Sequence, residues 1–260
     1  MKRSLLLLLV CLCLIATMAH AAPDRDVLYQ VSTLDALLAG VFDRATTVGE
    51  LLQHGDIGLG CFEAVDGEMV VLDGKAWQVR SDGTIHQATR SMGTPFAAVT
   101  YFDRDREVKL DQPLDFNALK ALLDRQLPTR NLFTVIRLDG EFEYMKTRSV
   151  PRQHKPYPRL LEVSMKQAEF EHTASKGTLI GVFCPYFAAG ANMPGWHFHY
   201  LNDKRDAGGH VLDLRLTRGI LALDITPRFS LNLPESGPYA EIKLDKTDKA
   251  ETERIEKDRK

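Results

Sequence analysis

"GWHFHYLNDKRDAGGHVLDLRL", residues 195–216, decides how the fold is read. Its opening alternates, with His197 and His199 separated by Phe198 and flanked by Trp196 and Tyr200. A period of two is that of a strand, so the imidazoles project to one face and the aromatic rings to the other. "NDKRDAGG", residues 202–209, consists largely of turn formers, and "HVLDLRL" resumes a strand with His210 at its head. A returning strand brings His210 onto the face of the other two histidines. Three imidazoles leave a bound metal with open coordination positions, the layout of a catalytic zinc site rather than a closed structural one. Neutral ligands also leave the ion its full dipositive charge, which makes it a strong Lewis acid toward oxygen.

Working outward, the same strand character holds for "GTLIGVFCPYF" and "ILALDITPRFSLNL", so the C-terminal part reads as strands almost without helix. Upstream, "CFEAVDGEMVVLDGKAWQVRSDGTIHQ" is punctuated by Asp66-Gly67, Asp73-Gly74 and Asp82-Gly83 and reads as an antiparallel meander. "NLFTVIRLDGEFEYMKTRSV" reads as a hairpin turning at Asp139-Gly140. Helices are expected in the amphipathic run "STLDALLAGVF", in "TTVGELLQHG" behind a Thr47–Glu50 capping box, and in "LDFNALKALLDRQLP" behind Asp115. In the last, Phe116, Leu119, Leu122 and Leu123 share a face. The fold class is α/β, more narrowly α+β. A mixed-sheet region with helices spans residues 22–150. The proline-rich, basic "PRQHKPYPR" from Pro151 to Arg159 marks a linker or exposed loop, and a β-rich region carrying the histidines spans 151–244. Residues 245–260 form a charged tail with too little apolar surface to fold alone.

"MKRSLLLLLVCLCLIATMAHAAP" places Lys2 and Arg3 before an apolar run and ends in Ala19-His20-Ala21, the pattern of a cleaved signal peptide over residues 1–21. The run is too short for a membrane anchor. A periplasmic or secreted location follows. Losing Lys2 and Arg3 takes the net charge from −2 to −4, so the balance offers no nucleic-acid surface. Cys11 and Cys13 leave with the signal, and Cys61 and Cys184 remain in apolar runs. They can pair in an oxidising compartment, but the apolar setting favours two free thiols acting as small hydrophobes.

Acid and base groups must come from elsewhere in the chain. Glu68 stands in "DGEMVVLDG", an apolar strand between two turns, and its spacing leaves open a desolvated carboxylate or one at a solvent-facing edge. Arg148 shares a face with Phe142 and Tyr144 and is suited either to holding a substrate carboxylate or to a surface ion pair.

"GDIGLGCFEAVDGEMVVLDGKAWQV", "TPFAAVTYF", "LFTVIRLDGEFEYMKTRSVPRQHKPYPRL", "GTLIGVFCPYFAAGANMPGWHFHYLNDKRDAGGHVLDLRL" and "GPYAEIKL" resemble, in the same order, the blocks of the acetolactate decarboxylase family. The resemblance covers nearly all of the chain after the signal. It implies zinc held by His197, His199 and His210, a substrate site lined by Glu68 and Arg148, and a C-terminal glutamate, matched to Glu256, that folds back onto the metal. It also implies two subdomains, a homodimer, acetolactate as the small-molecule substrate and (R)-acetoin as the product. Cys61 stands where family members carry threonine, which weakens any hydrogen bond from that position to substrate. The chemistry agrees with the parts. Loss of carbon dioxide from a 2-hydroxy-3-keto acid leaves an electron pair, and a metal chelated by the hydroxyl and keto oxygens stabilises the resulting enediolate.

Two other classes fit part of the pattern. A cupin-like oxygenase or isomerase also uses a His-x-His strand, although Asp203 stands in a turn where a glutamate ligand is expected. A non-catalytic periplasmic metal-binding protein fits the histidines and the signal, but the chain lacks a long histidine-rich acidic loop.

Overall fold

The computed structural model describes residues 24–244. The signal sequence, the charged tail and Glu256 lie outside the described residues. In chain order the first part runs β1 (Val27–Val31), α1 (Leu34–Leu38), β2 (Thr46–Thr47), α2 (Val48–Leu51), β3 (Ile57–Cys61), β4 (Glu68–Leu72), β5 (Lys75–Val79) and β6 (Ile85–Gln87). It continues with β7 (Gly93–Thr94), β8 (Phe96–Thr100), β9 (Arg106–Leu110), β10 (Leu114–Asp115) and α3 (Phe116–Gln126). The remainder is β11 (Phe133–Ser149), α4 (Leu160–Ser164), β12 (Ala168–Cys184), β13 (Gly195–Asn202), β14 (Gly208–Thr226), β15 (Arg228–Asn232) and α5 (Pro238–Glu241). No helix among the described residues is long and apolar enough to cross a membrane. Few helices and two large sheets give the α+β class expected from the sequence.

Seven strands form the first sheet in the order β15-β1-β8-β3-β4-β5-β6. The meander expected at residues 61–87 supplies its β4–β5–β6 edge. Asp73 and Gly74, with φ of 51° and 70°, make the two-residue turn of the β4–β5 hairpin, the mirror-image type that matches strand twist. The second sheet is built on β14, β11, β12 and β13 in that order, and it closes because β13 also pairs with β14. β9 and β10 pair with β14, so the strands on either side of residues 150–151 do not sort by sheet: β9, β10 and β11 belong to the second, and β15 returns to the first. Pro227 interrupts the ladder between β14 and β15, at the point where the chain changes sheet.

Two expected breaks are absent. Asp139-Gly140 is not a turn: β11 runs straight through it for 17 residues, with Gly140 opposite Gly177 on β12 and Gly219 on β14. A Cβ at Gly140 would lie 2.9 Å from Leu216 Cδ1 and 3.0 Å from the Arg218 carbonyl, so glycine serves close strand approach here rather than chain reversal. Asp139 accepts from Thr178 Oγ1 at 2.6 Å and Arg137 Nε at 2.7 Å. "HVLDLRL" and "ILALDIT" likewise join in one strand, β14, because β11 offers a partner along its whole length.

The core sits in layers. Leu28, Leu59, Val70 and Leu72 of the first sheet pack on Phe133, Val135, Ile180 and Val182 of the second. The other face of the first sheet carries Met69, Val71, Ala97 and Val99, covered by Val48 and Leu51 of α2. The Thr47–Glu50 capping box forms as read, with Glu50 N–H donating to Thr47 Oγ1 at 3.2 Å and Thr47 N–H to Glu50 Oε2 at 2.9 Å. Asp115 caps α3 through the Ala118 N–H at 2.8 Å, and Leu119 and Leu123 enter the core of the second sheet.

Candidate metal centre and active-site pocket

Alternation along β13 works as expected: Phe198 and Tyr200 enter the core of the second sheet, and His197 and His199 face the other way. The turn after β13 is locked by Asn202, whose Oδ1 accepts from the N–H groups of Asp206 at 2.9 Å and Ala207 at 3.1 Å. β14 then pairs His210 directly with His199 on one side and with Arg148 of β11 on the other. One row of the sheet therefore carries His199, His210 and Arg148 on three adjacent strands. Gly209 makes the row possible, because at φ 124° a Cβ would lie 2.5 Å from the Arg148 carbonyl.

The three imidazoles converge. Their ligand atoms all lie within 4.8 Å of one another, and His197 Nε2 is 3.0 Å from His210 Nδ1. His199 is the deepest, with its Nδ1 2.8 Å from the Met69 carbonyl of β4. That contact makes Nδ1 the protonated nitrogen and turns the lone pair of Nε2 into the cluster, the orientation a carbonyl partner imposes on a metal-binding histidine. Nε2 itself is buried and makes no hydrogen bond. A buried polar atom without a partner costs stability, so a cation at this point accounts for what the protein leaves unsatisfied. Burial, reinforced by His197 and His210, holds the His199 imidazole well below its usual range, which keeps it neutral and able to ligate. Among the described residues no other three His, Cys, Asp or Glu side chains form such a group.

Glu68 settles the choice left open by its spacing. It shares the β4 face of Val70 and Leu72, toward the second sheet, and is 6% exposed. Its Oε1 lies 3.1 Å from Arg148 Nη1 and its Oε2 3.5 Å from His199 Nε2. The two sheets thus meet at a buried ion pair beside the histidines. Cys61, on the neighbouring strand, lines the same pocket, its thiol pushed well above its usual range by burial and by Glu68. Cys61 and Cys184 are both free and buried. Opposite the polar cluster the pocket is apolar, walled by Leu34, Leu37 and Leu38 of α1, Leu160 of α4, and Met193. The sequence reading found the polar residues and missed this wall. "STLDALLAGVF" signals a helix, but nothing local says what its apolar face covers.

A family model described as Alpha-acetolactate decarboxylase matches residues 28–246. A protein named alpha-acetolactate decarboxylase from Methanosarcina mazei is 44% identical over 232 residues, 89% of this chain and 81% of the relative. The chain belongs to the alpha-acetolactate decarboxylase family. The Bacillus subtilis relative of the same name is 34% identical, over 90% of this chain and 92% of its own. A crystal structure of alpha-acetolactate decarboxylase from Bacillus subtilis strain 168 superposes with a TM-score of 0.87 at 33% identity, covering 89% of this chain and 100% of that one. A Staphylococcus aureus structure described as similar to alpha-acetolactate decarboxylase gives 0.84 at 30% identity, over 88% of this chain and 98% of that one. The protein is therefore a carboxy-lyase of acetolactate, a small-molecule substrate. The oxygenase and metal-carrier readings fall away.

Proposed function

We propose that the pocket between the sheets converts 2-acetolactate to (R)-acetoin with zinc held by His197, His199 and His210. The observation that carries this reading is the unsatisfied, buried Nε2 of His199, aimed at two further imidazoles beside the Glu68–Arg148 pair. Three neutral nitrogen donors with room for substrate suit zinc. Bound there, the ion would supply a Lewis acid and a sink for the electron pair left when carbon dioxide departs.

The chain's own residues do the rest. Arg148 offers a fixed cation to the substrate carboxylate. Its charge is already shared with Glu68, so it orients the carboxylate without over-stabilising a group that must be lost. Glu68 stands on the same side and holds or relays the proton that completes acetoin, with Arg148 acting electrostatically because a guanidinium is a poor acid. The wall of Leu34, Leu37, Leu38, Leu160 and Met193 takes the substrate's methyl groups and keeps bulk water away. Protonation from the polar side alone yields one enantiomer. Cys61, which lines the same pocket, offers the substrate only a weak thiol donor. The signal peptide directs the enzyme out of the cytoplasm, and it acts in the periplasm or outside the cell as a homodimer.

The deciding experiment is acetoin formation from racemic acetolactate, followed by chiral analysis, before and after chelation and on re-addition of zinc. Activity that survives complete removal of metal overturns the reading.

A further inference from the structure

The apolar wall of the pocket is held in place by a buried pair of amides that the chemistry above does not use. Gln30 of β1 is 0% exposed, and its Nε2 donates to the carbonyls of Ser32 at 2.8 Å and Ala191 at 2.7 Å. Its Oε1 accepts from Asn192 Nδ2 at 2.6 Å. Asn192, 1% exposed, accepts the Met193 N–H on Oδ1 at 2.6 Å. The network continues into α1. Leu34 N–H donates to the Ala191 carbonyl at 2.9 Å and Asp35 N–H to the Gly190 carbonyl at 3.0 Å. These are first-turn donors, which have no partner inside a helix.

A helix of five residues has little stability of its own, so its position depends on what its ends are tied to. Apolar contacts are non-directional and would let α1 and residues 190–193 slide, whereas hydrogen bonds from two fully buried amides do not. Leu34, Leu37 and Leu38 of α1 and Met193 of the loop all line the pocket. The distance from this wall to the His–Glu–Arg cluster is therefore set by polar groups that never touch the cavity.

We propose that Gln30 and Asn192 are positioning residues for the decarboxylation, fixing through Met193 and α1 how large an alkyl group the pocket accepts. The inference rests on the reading of this pocket as the active site. With the substrate oxygens turned to the polar cluster, its alkyl groups meet the wall, and an added methylene reports the wall's position.

The probes are acetolactate and its homologue with ethyl in place of methyl at C2. In Gln30→Met and Asn192→Ala, at wild-type metal content, the ratio of kcat/KM for the two substrates should shift by about tenfold, chiefly through KM, the scale of one methylene in an apolar pocket. The double variant should shift it no further than the larger single one, since both cut one network. Equal losses on both substrates with an unchanged ratio mean a merely structural role and overturn the proposal. Should these variants not fold, Met193→Ala keeps the amide pair and, by shortening the wall itself, must move the ratio toward the ethyl homologue. An unchanged ratio there overturns it as well. Failure of the underlying reading looks different: His197→Ala would then keep full turnover on both substrates.

Discussion

Arg148 Nη1 lies 3.1 Å from Glu68 Oε1, and each side chain is less than a tenth exposed, on facing strands of two different sheets. The pair is both the hinge of the proposed chemistry and a buried charge pair that the fold must keep intact. If it orients substrate and manages the proton while the histidines hold the metal, Glu68→Gln should retain bound metal. Turnover should nevertheless fall by about a hundredfold, the lower scale for losing a proton-transfer group. Arg148→Ala should lose activity similarly and, by removing the guanidinium beside a buried carboxylate, also lose about 3 kcal/mol of stability. The double variant should fall less than the product of the singles. Metal content, thermal melts and chiral analysis of acetoin read these outcomes, and mixed enantiomers from Glu68→Gln would place its carboxylate at the protonation step. Wild-type turnover with pure product would remove it from the mechanism.

Replacing His197, His199 or His210 by alanine removes one of three proposed ligands. Zinc stoichiometry and activity should collapse together in each. His199→Ala should also be the most destabilising, because it removes the contact to the Met69 carbonyl that joins the two sheets at this point. Full metal occupancy in any one variant, measured by atomic emission, excludes that residue as a ligand.

The thiols should be inert. Cys184 is fully buried with its pKa pushed up to about 12 by burial, and Cys61 is raised well above its usual value for the same reason. The thiolate is the reactive form, so neither should be alkylated by iodoacetamide at neutral pH until the protein is unfolded. Mass spectrometry of native and denatured samples checks this. Rapid native labelling would contradict the buried placement.

Asp224 supplies a stability dependence on pH. It is 1% exposed, and burial, together with Asp105, Asp103 and Asp26, raises its carboxyl to about 8, although the Asp103 N–H donates to it at 3.1 Å. A folded-state pKa above the unfolded one means that the native protein binds the extra proton. This contribution is fully present below the unfolded pKa, near 3.8, and is lost as pH rises to about 8. The loss is at most about 1.4 kcal/mol per pH unit. Asp224→Asn keeps an acceptor for Asp103 and should flatten denaturation midpoints measured between pH 5 and 8, on the order of the window that linkage defines. An unchanged slope would remove Asp224 as its source.

Much of this molecule is local and therefore legible in its sequence. The alternation in "WHFHY" sets which side chains share a face, Thr47–Glu50 and Asp115 start their helices, and Asp73-Gly74 turns its hairpin, because each depends on backbone geometry within a few residues. Asp139-Gly140 shows where local chemistry stops. The same dipeptide that turns the chain at residues 73–74 is carried straight through at 139–140, since β12 and β14 offer partners that no short window contains. Glu68 is similar: its parity on β4 follows from the sequence, but only the second sheet lying over that face makes it a buried neighbour of His199. Gln30 depends on Asn192, 162 positions away, with nothing in either neighbourhood to announce it. The types and faces of the site residues were determined by short-range backbone periodicity. Their assembly was decided by strand pairing and layer packing, which join residues the chain keeps far apart.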